Sequence, residues 1–195
     1  MSRGKLARMM DWEYTIQEYV RLEEHSNLKH EYLDGEIRAM GGGSLDHARV
    51  GAKVARILGV QLDGQPCDVY SSDARIRVLA ANLITYPDVI VGCGPVETDV
   101  DDPYAMLNPT VVAEVTSPSS ERYDRGRKLA AYKRVQSIRD IVIVSHRDRA
   151  IEVHHRQEDG TWSVASANAG ERAHVPSIRC VLEVDAVYHE ARSAS

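Results

Sequence analysis

The stretch Leu83-Ile84-Thr85-Tyr86-Pro87-Asp88-Val89-Ile90-Val91 decides how this chain is read. Aliphatic and β-branched residues on both sides of its centre predict a sheet-core strand over Leu83–Val91. Two residues break the pattern. Pro87 cannot donate to a strand ladder, so it marks an edge, a bulge or a bend. Asp88 places a carboxylate in apolar surroundings, which costs several kcal/mol unless the charge is paired or bound to metal. A bend beside Asp88 would turn its side chain toward a cleft.

The anomaly recurs downstream. Val111-Val112-Ala113-Glu114-Val115-Thr116 is a second apolar run, read as a strand over Thr110–Thr116, with Glu114 in its middle. Each acid alone has a bland reading: Asp88 ends a strand, and Glu114 pairs with a buried arginine. Two in successive strands suggest a shared purpose. Carboxylate oxygens on neighbouring strands, completed by waters and phosphate oxygens, suit Mg²⁺ or Mn²⁺.

The segment Arg122–Val135 reads as a helix and sharpens the case. At 100° per residue, Leu129, Ala131, Tyr132 and Val135 form an apolar stripe, while Arg127, Lys133 and Arg134 face away. Lys128 falls in the middle of the stripe. Either its stem packs and the ammonium escapes to water, or the ammonium is aimed at the carboxylates and a phosphate. Tyr132, one turn on, is placed to hydrogen-bond in the same site, and Asp124, one turn back, to cap or orient. The polar turn Thr116-Ser117-Pro118-Ser119-Ser120 either lines a phosphate site or caps that helix.

Other candidates carry weaker signals. Glu36 follows the Asp34-Gly35 turn, where a charge is usually just solvated. His47 shares a helical stripe with Val54 and Leu58, which predicts a satisfied core histidine. His154 and His155 point to opposite strand faces, which argues against a zinc site.

Outward from these segments the chain reads as mixed α/β around one central sheet. A helix over Thr15–Glu24 opens with Thr15 and Glu18 in a capping-box pattern. A hairpin over His30–Met40 turns at Asp34-Gly35. Gly41-Gly42-Gly43 breaks the chain before a helix over Asp46–Leu62. Strands follow at Val69–Leu79, Leu83–Val91 and Thr110–Thr116. The Arg122 helix then crosses over to strands at Asp140–Ser145 and Ala150–His155, a connection long enough for a βαβ unit. Asp159-Gly160 turns into Trp162–Ser166, and Val181–Tyr188 closes as a strand or short helix.

The 195 residues suit one domain with a sizeable core, with short mobile ends at Met1–Asp11 and Glu190–Ser195. A net charge of -5 excludes a broad basic coat for nucleic acid, but not a site where a metal reverses the local sign. Cys67, Cys93 and Cys180 are odd in number and widely spaced, which predicts three reduced thiols. No apolar run reaches a membrane span and no signal-peptide pattern is present, so the expected location is the cytoplasm.

Taken in order, Tyr32-Leu33-Asp34-Gly35-Glu36, Pro87-Asp88, Glu114-Val115-Thr116-Ser117-Pro118-Ser119 and Asp124-Arg125-Gly126-Arg127-Lys128 with Tyr132 resemble the Uma-two family. That family is assigned to the PD-(D/E)xK nuclease superfamily, and the resemblance runs from about Tyr14 to about Ile178. It implies a restriction-endonuclease-like core, a mixed sheet flanked by helices. It implies that Asp88 and Glu114 bind the metal and that Lys128 replaces the lysine the superfamily usually places at the Thr116 position. Glu36 then matches an acid that the superfamily often supplies from its first helix, and Ser117, Ser119 and Tyr132 become substrate contacts. The implied activity is Mg²⁺-dependent hydrolysis of nucleic acid, DNA first, by a homodimer. Two rival readings are a decayed nucleic-acid-binding protein, separated by metal titration, and a metal-dependent hydrolase of another phosphoester, separated by a substrate panel.

Overall fold

The run Leu83–Val91 is two strands in two different sheets. It separates at Tyr86-Pro87-Asp88, where the proline interrupts the ladder. The structure is a computed structural model and describes residues 13–190. The ends expected to be mobile lie outside these residues, except for Glu190, the last one described.

In chain order the elements are α1 (Ile16–His25), β1 (His30–Leu33), β2 (Glu36–Ala39), α2 (Leu45–Leu62), β3 (Cys67–Ser71), β4 (Arg75–Val78), β5 (Leu83–Thr85), β6 (Val89–Cys93), β7 (Ala105–Met106) and β8 (Val111–Val115). A composite helix α3 follows, made of Glu121–Tyr123, a π turn at Asp124–Lys128, and Leu129–Tyr132. Then come β9 (Asp140–Val144), β10 (Ala150–Arg156), β11 (Trp162–Asn168), β12 (Arg172–Val175), β13 (Cys180–Glu183) and α4 (Val184–Tyr188). The capping box of α1 is present: Thr15 and Glu18 cap each other's backbone.

The fold class is the mixed α/β arrangement expected, but the one central sheet is divided. Six strands in the order β11-β10-β9-β8-β6-β3 form the main sheet. Five more, β2-β1-β5-β4-β7, form a second, and β12-β13 a two-stranded ribbon. The predicted strand Val69–Leu79 divides just as Leu83–Val91 does. Ser71 accepts from Ala74 at 3.0 Å in a turn that passes the chain from β3 to β4. Two bends therefore peel the second sheet away from the first. The α3 connection joins β8 to β9 in parallel, as the expected crossover requires.

The main sheet is buried on both faces, so its strands alternate between two cores rather than between core and water. Val89, Val91, Val111, Ala113 and Val115 meet Val50, Val54, Leu58 and Leu62 of α2. Ile90, Val112, Ile141 and Ile143 meet Ala131 and Tyr132 of α3 together with Ile76, Val78 and Leu83 of the second sheet. Position 114 shares its face with Val112, so Glu114 points toward α3.

The expectation of three free thiols is corrected. Antiparallel pairing of β3 with β6 sets Cys67 opposite Cys93, and the two form a disulfide. Sheet register closes a gap of 26 residues that sequence spacing does not reveal. Cys180 is free and buried. Among the described residues no helix is long and apolar enough to cross a membrane.

Candidate active site

Glu114 is fixed by the register of the main sheet. Val89 pairs with Ala113, so the next step outward sets Asp88 opposite Glu114 at the open end of β6 and β8. Here the chain has just bent at Pro87, and the Asp88 Oδ2 accepts the Val115 amide at 2.7 Å. Asp88 is thereby tied to the strand that carries Glu114.

Lys128 reaches this pair from α3. Its Nζ lies 2.8 Å from Glu114 Oε1 and 3.9 Å from Asp124. At 4% exposure, the ammonium is held by carboxylates rather than by water. The π turn over Asp124–Lys128 carries both of these charged residues inward. Tyr132 donates its hydroxyl to the same Glu114 oxygen.

The electrostatics follow from burial. Desolvation pushes the Glu114 carboxyl up to about 7, with Lys128 opposing the shift and Asp88 and Asp124 adding to it. Burial likewise raises Asp124, against the pull of Lys128. For Lys128 burial works against the charge, but Glu114 and Asp124 outweigh it and hold the ammonium above its ordinary range.

A cavity of about 570 Å³ opens over this cluster. Asp88, Glu114, Asp124 and Lys128 line it, with Gly41–Gly43 on one side and Ser117–Ser120 on the other. Ser117 and Ser119 hydroxyls lie 3.1 Å apart, and Ser117 and Ser120 each accept the other's amide at 3.1 Å. The serine turn is thus stitched by its own hydroxyls and presents them on the cavity wall.

Two sequence expectations are relocated. Glu36 stands on β2 with its side chain 64% exposed and paired to Arg38, outside the cavity. Tyr132 is fully buried behind Glu114 and does not line the cavity, so it supports an acid rather than facing a substrate. Its place on the apolar stripe decides this: the ring belongs to the core and only the hydroxyl reaches the site.

Two cavity residues were missed or undervalued. Glu31, not Glu36, is the acid that β1 delivers. It is buried, accepts from Thr85 at 2.7 Å and from the Tyr123 hydroxyl, and lines the cavity. Its signal was available: a carboxylate in the strand run ahead of Tyr32-Leu33, the anomaly that singled out Asp88. His47, read as a core histidine, instead sits on the cavity wall with Nε2 3.4 Å from Asp88 Oδ2. A Cβ at position 43 would come within 2.6 Å of the His47 ring, so Gly43 makes room for it.

The donor set bears on which cation could sit here. Among the described residues no group of three or more His, Cys, Asp or Glu side chains is arranged to hold a metal. Glu114 Oε1 is committed to Lys128 and Tyr132, and Asp88 Oδ2 to Val115 and His47. The other oxygen of each acid has no hydrogen-bond partner among the described residues. Two open carboxylate oxygens fit a cation that keeps most of its waters, as Mg²⁺ does, and not the all-protein tetrahedral shell of structural zinc.

A mixed sheet between helices, with acid, acid and lysine gathered where two of its strands end, is a nuclease-like fold. The fold matches a solved chain described as a "putative nuclease belonging to DUF820" from Anabaena variabilis with a TM-score of 0.71, covering 89% of this chain and 97% of that one at 14% identity. Residues 16–185 match the family model Uma2, described as "Putative restriction endonuclease", and the chain belongs to that family. Two relatives from Synechocystis sp. align over most of their length. The uncharacterized protein slr1290 is 36% identical over 172 residues, 88% of this chain and 90% of its own. The uncharacterized protein sll1609 is 26% identical over 161 residues, 83% and 90%.

Proposed function

We propose that this chain is a Mg²⁺- or Mn²⁺-dependent endonuclease that hydrolyses phosphodiester bonds of nucleic acid, with DNA the first substrate to test. One observation carries the reading. Two carboxylates from adjacent strands each keep an uncommitted oxygen, and one of them is paired with a buried lysine, at the wall of a cavity large enough for a nucleotide.

Asp88 and Glu114 would hold the cation through those open oxygens. When bound, it would polarise the scissile phosphate and lower the pKa of a bound water. The chain's own groups do the rest. Lys128 keeps a positive charge in a water-poor wall, where it offsets charge building on phosphorus or orients the attacking water. Tyr132 and His47 each occupy one oxygen of an acid and leave the other facing the cavity. Glu31 supplies a further buried carboxylate, able to position a water. The hydroxyls of Ser117 and Ser119 are placed to meet phosphate oxygens. Cutting both strands of a duplex at one place would favour two such sites related by a two-fold axis, so the reading includes a homodimer.

The test is conversion of supercoiled plasmid to nicked or linear DNA in Mg²⁺, in Mn²⁺ and in chelator, with an RNA of similar length in parallel. Cation-dependent cleavage that disappears in Asp88→Asn is the expected result. Cleavage that persists in chelator or in Asp88→Asn would defeat the reading.

A further inference from the structure

The outer side of α3 borders a second cavity, of about 390 Å³. Arg127 on α3 and Arg134 in the turn that ends it face this space, across from the Leu79–Leu83 segment. Tyr123 lines both this groove and the cavity that holds the acids.

Among the described residues some surface arginines are held by carboxylates and others, Arg127 and Arg134 among them, are not. Arg38 is paired to Glu36, Arg49 to Asp46, Arg125 to Glu121 and Glu152, Arg147 to Glu121, and Arg172 to Glu183. Arg127 and Arg134 have no carboxylate within ion-pair distance among the described residues. Asp34 also lines the groove but pairs with neither. In a chain of net charge -5, two unneutralised arginines on one groove are a local excess of positive charge. Leu79, 63% exposed on the same groove, adds apolar surface suited to a base or sugar face.

We propose that this groove is a second binding subsite, for the phosphodiester backbone of the strand that continues past the cleavage position. A strand whose scissile phosphate lies over Asp88 and Glu114 would run past Tyr123 and place flanking phosphates on Arg127 and Arg134. The guanidinium fork matches two phosphate oxygens at once, which a lysine would not. This inference rests on the nuclease reading above.

The experiment measures binding of fluorescein-labelled 12-nucleotide DNA and RNA single strands by anisotropy, in Mg²⁺ and in the Asp88→Asn background, where cutting is off. The double change Arg127→Ala with Arg134→Ala is compared with the parent, and with Arg56→Ala plus Arg139→Ala, which removes equal charge outside both cavities. Melting temperatures confirm folding; the replaced side chains are all exposed. The groove variant is expected to bind about tenfold more weakly at moderate salt, and its log–log salt slope to shrink by roughly 1.4, since each single-strand phosphate contact contributes about 0.7. Loss on DNA alone, or on RNA alone, assigns the strand type. Unchanged affinity and slope, or an equal loss in the control pair, overturns the subsite while cleavage by the wild type keeps the nuclease reading. A wild type that neither binds nor cuts any strand overturns both.

Discussion

Arg75 and Asp102 form a more complete buried charge cluster than the one around Glu114 and Lys128. The guanidinium donates to both carboxylate oxygens, at 2.6 and 2.7 Å, and to the Tyr86 hydroxyl at 2.9 Å. Tyr86 in turn donates to Glu23, and Glu23 also binds His30. Both Asp102 oxygens are used. In the second cluster Glu114 and Lys128 are as deeply buried, but Glu114 and Asp88 each keep an oxygen free on a cavity wall. Tyr86 belongs to both places, with its hydroxyl in the first cluster and its ring on the cavity of the second. Burial and ion pairing are common to the two. What separates a structural clasp from a candidate site is acceptor capacity left over.

The largest expected effect tests the clasp. Asp102→Ala leaves the Arg75 guanidinium buried without its carboxylate, and breaking such a pair typically costs about 3–5 kcal/mol. Urea unfolding should show that loss. Cleavage per folded molecule should stay near wild type, because Asp102 does not line the candidate cavity. Stability within about 1 kcal/mol of wild type would show that the clasp contributes little and that the comparison misjudges it.

The next effect tests the candidate site from its cationic side. Lys128→Ala should lower turnover by roughly 10²–10³, the usual result of losing one preorganised electrostatic donor. The two acids remain, so the Mn²⁺ affinity should be retained. A variant that cuts at the wild-type rate while Asp88→Ala is inactive would make Lys128 a buried counter-ion and nothing more. Lys133→Ala, in the turn that ends the same helix and with its ammonium over the Trp162 ring, is the matched control.

A smaller effect tests how Asp88 is aimed. His47 and the Val115 amide hold the same Asp88 oxygen. Groups that orient a metal-binding side chain in this way typically contribute 10–100-fold in metal affinity. His47→Ala should weaken Mn²⁺ binding by about tenfold, measured by calorimetry, and His47→Gln should recover part of it by donating from a similar place. Equal affinity in all three proteins would make His47 a wall residue only.

Much of this was legible in the sequence, and what was not has identifiable physical causes. Asp88, Glu114 and Lys128 each broke a hydrophobic period, and the structure places all three on one cavity. The division of the sheet was not legible. A strand of nine residues and two short strands joined by a bend share one apolar pattern, and only Pro87 hinted at the difference. The resemblance points to Glu36, beside the Asp34-Gly35 turn, as the further acid, although Glu31 lies in the strand itself. Cys67 and Cys93 become neighbours only through sheet register. Arg127 and Arg134 looked like an ordinary solvated face, because the wall opposite them comes from a distant segment, Leu79–Leu83.

The smallest expected effect separates the clusters by pH, in chelator, so that no cation intervenes. Burial raises the Glu114 carboxyl to about 7, well above the range it has in the unfolded chain. Asp124 is raised too, mainly by burial, and His47 is raised chiefly by its hydrogen bond to Asp88. For each of these groups the folded state binds the proton more tightly than the unfolded state does. Their contribution to stability is therefore full at low pH and is lost as pH rises through the folded-state values. Metal-free protein should melt at progressively lower temperature from about pH 5 to pH 8, a change of about 2–4 °C for each kcal/mol lost. Glu114→Gln should flatten the part of the slope that lies between the ordinary carboxylate range and about 7, because the amide carries the same shape with no proton to lose. His47→Gln should remove a separate part, so the two variants divide the effect between the acid and the imidazole. Added Mg²⁺ should restore stability most strongly at the alkaline end, where Glu114 is ionised and its charge most needs a partner. The Arg75–Asp102 cluster is saturated, so Asp102→Asn should lower the whole curve without changing its slope. A melting temperature that rises with pH in chelator, or a slope that survives Glu114→Gln intact, would mean that Glu114 is already satisfied without a cation and that the two clusters do not differ in the way proposed.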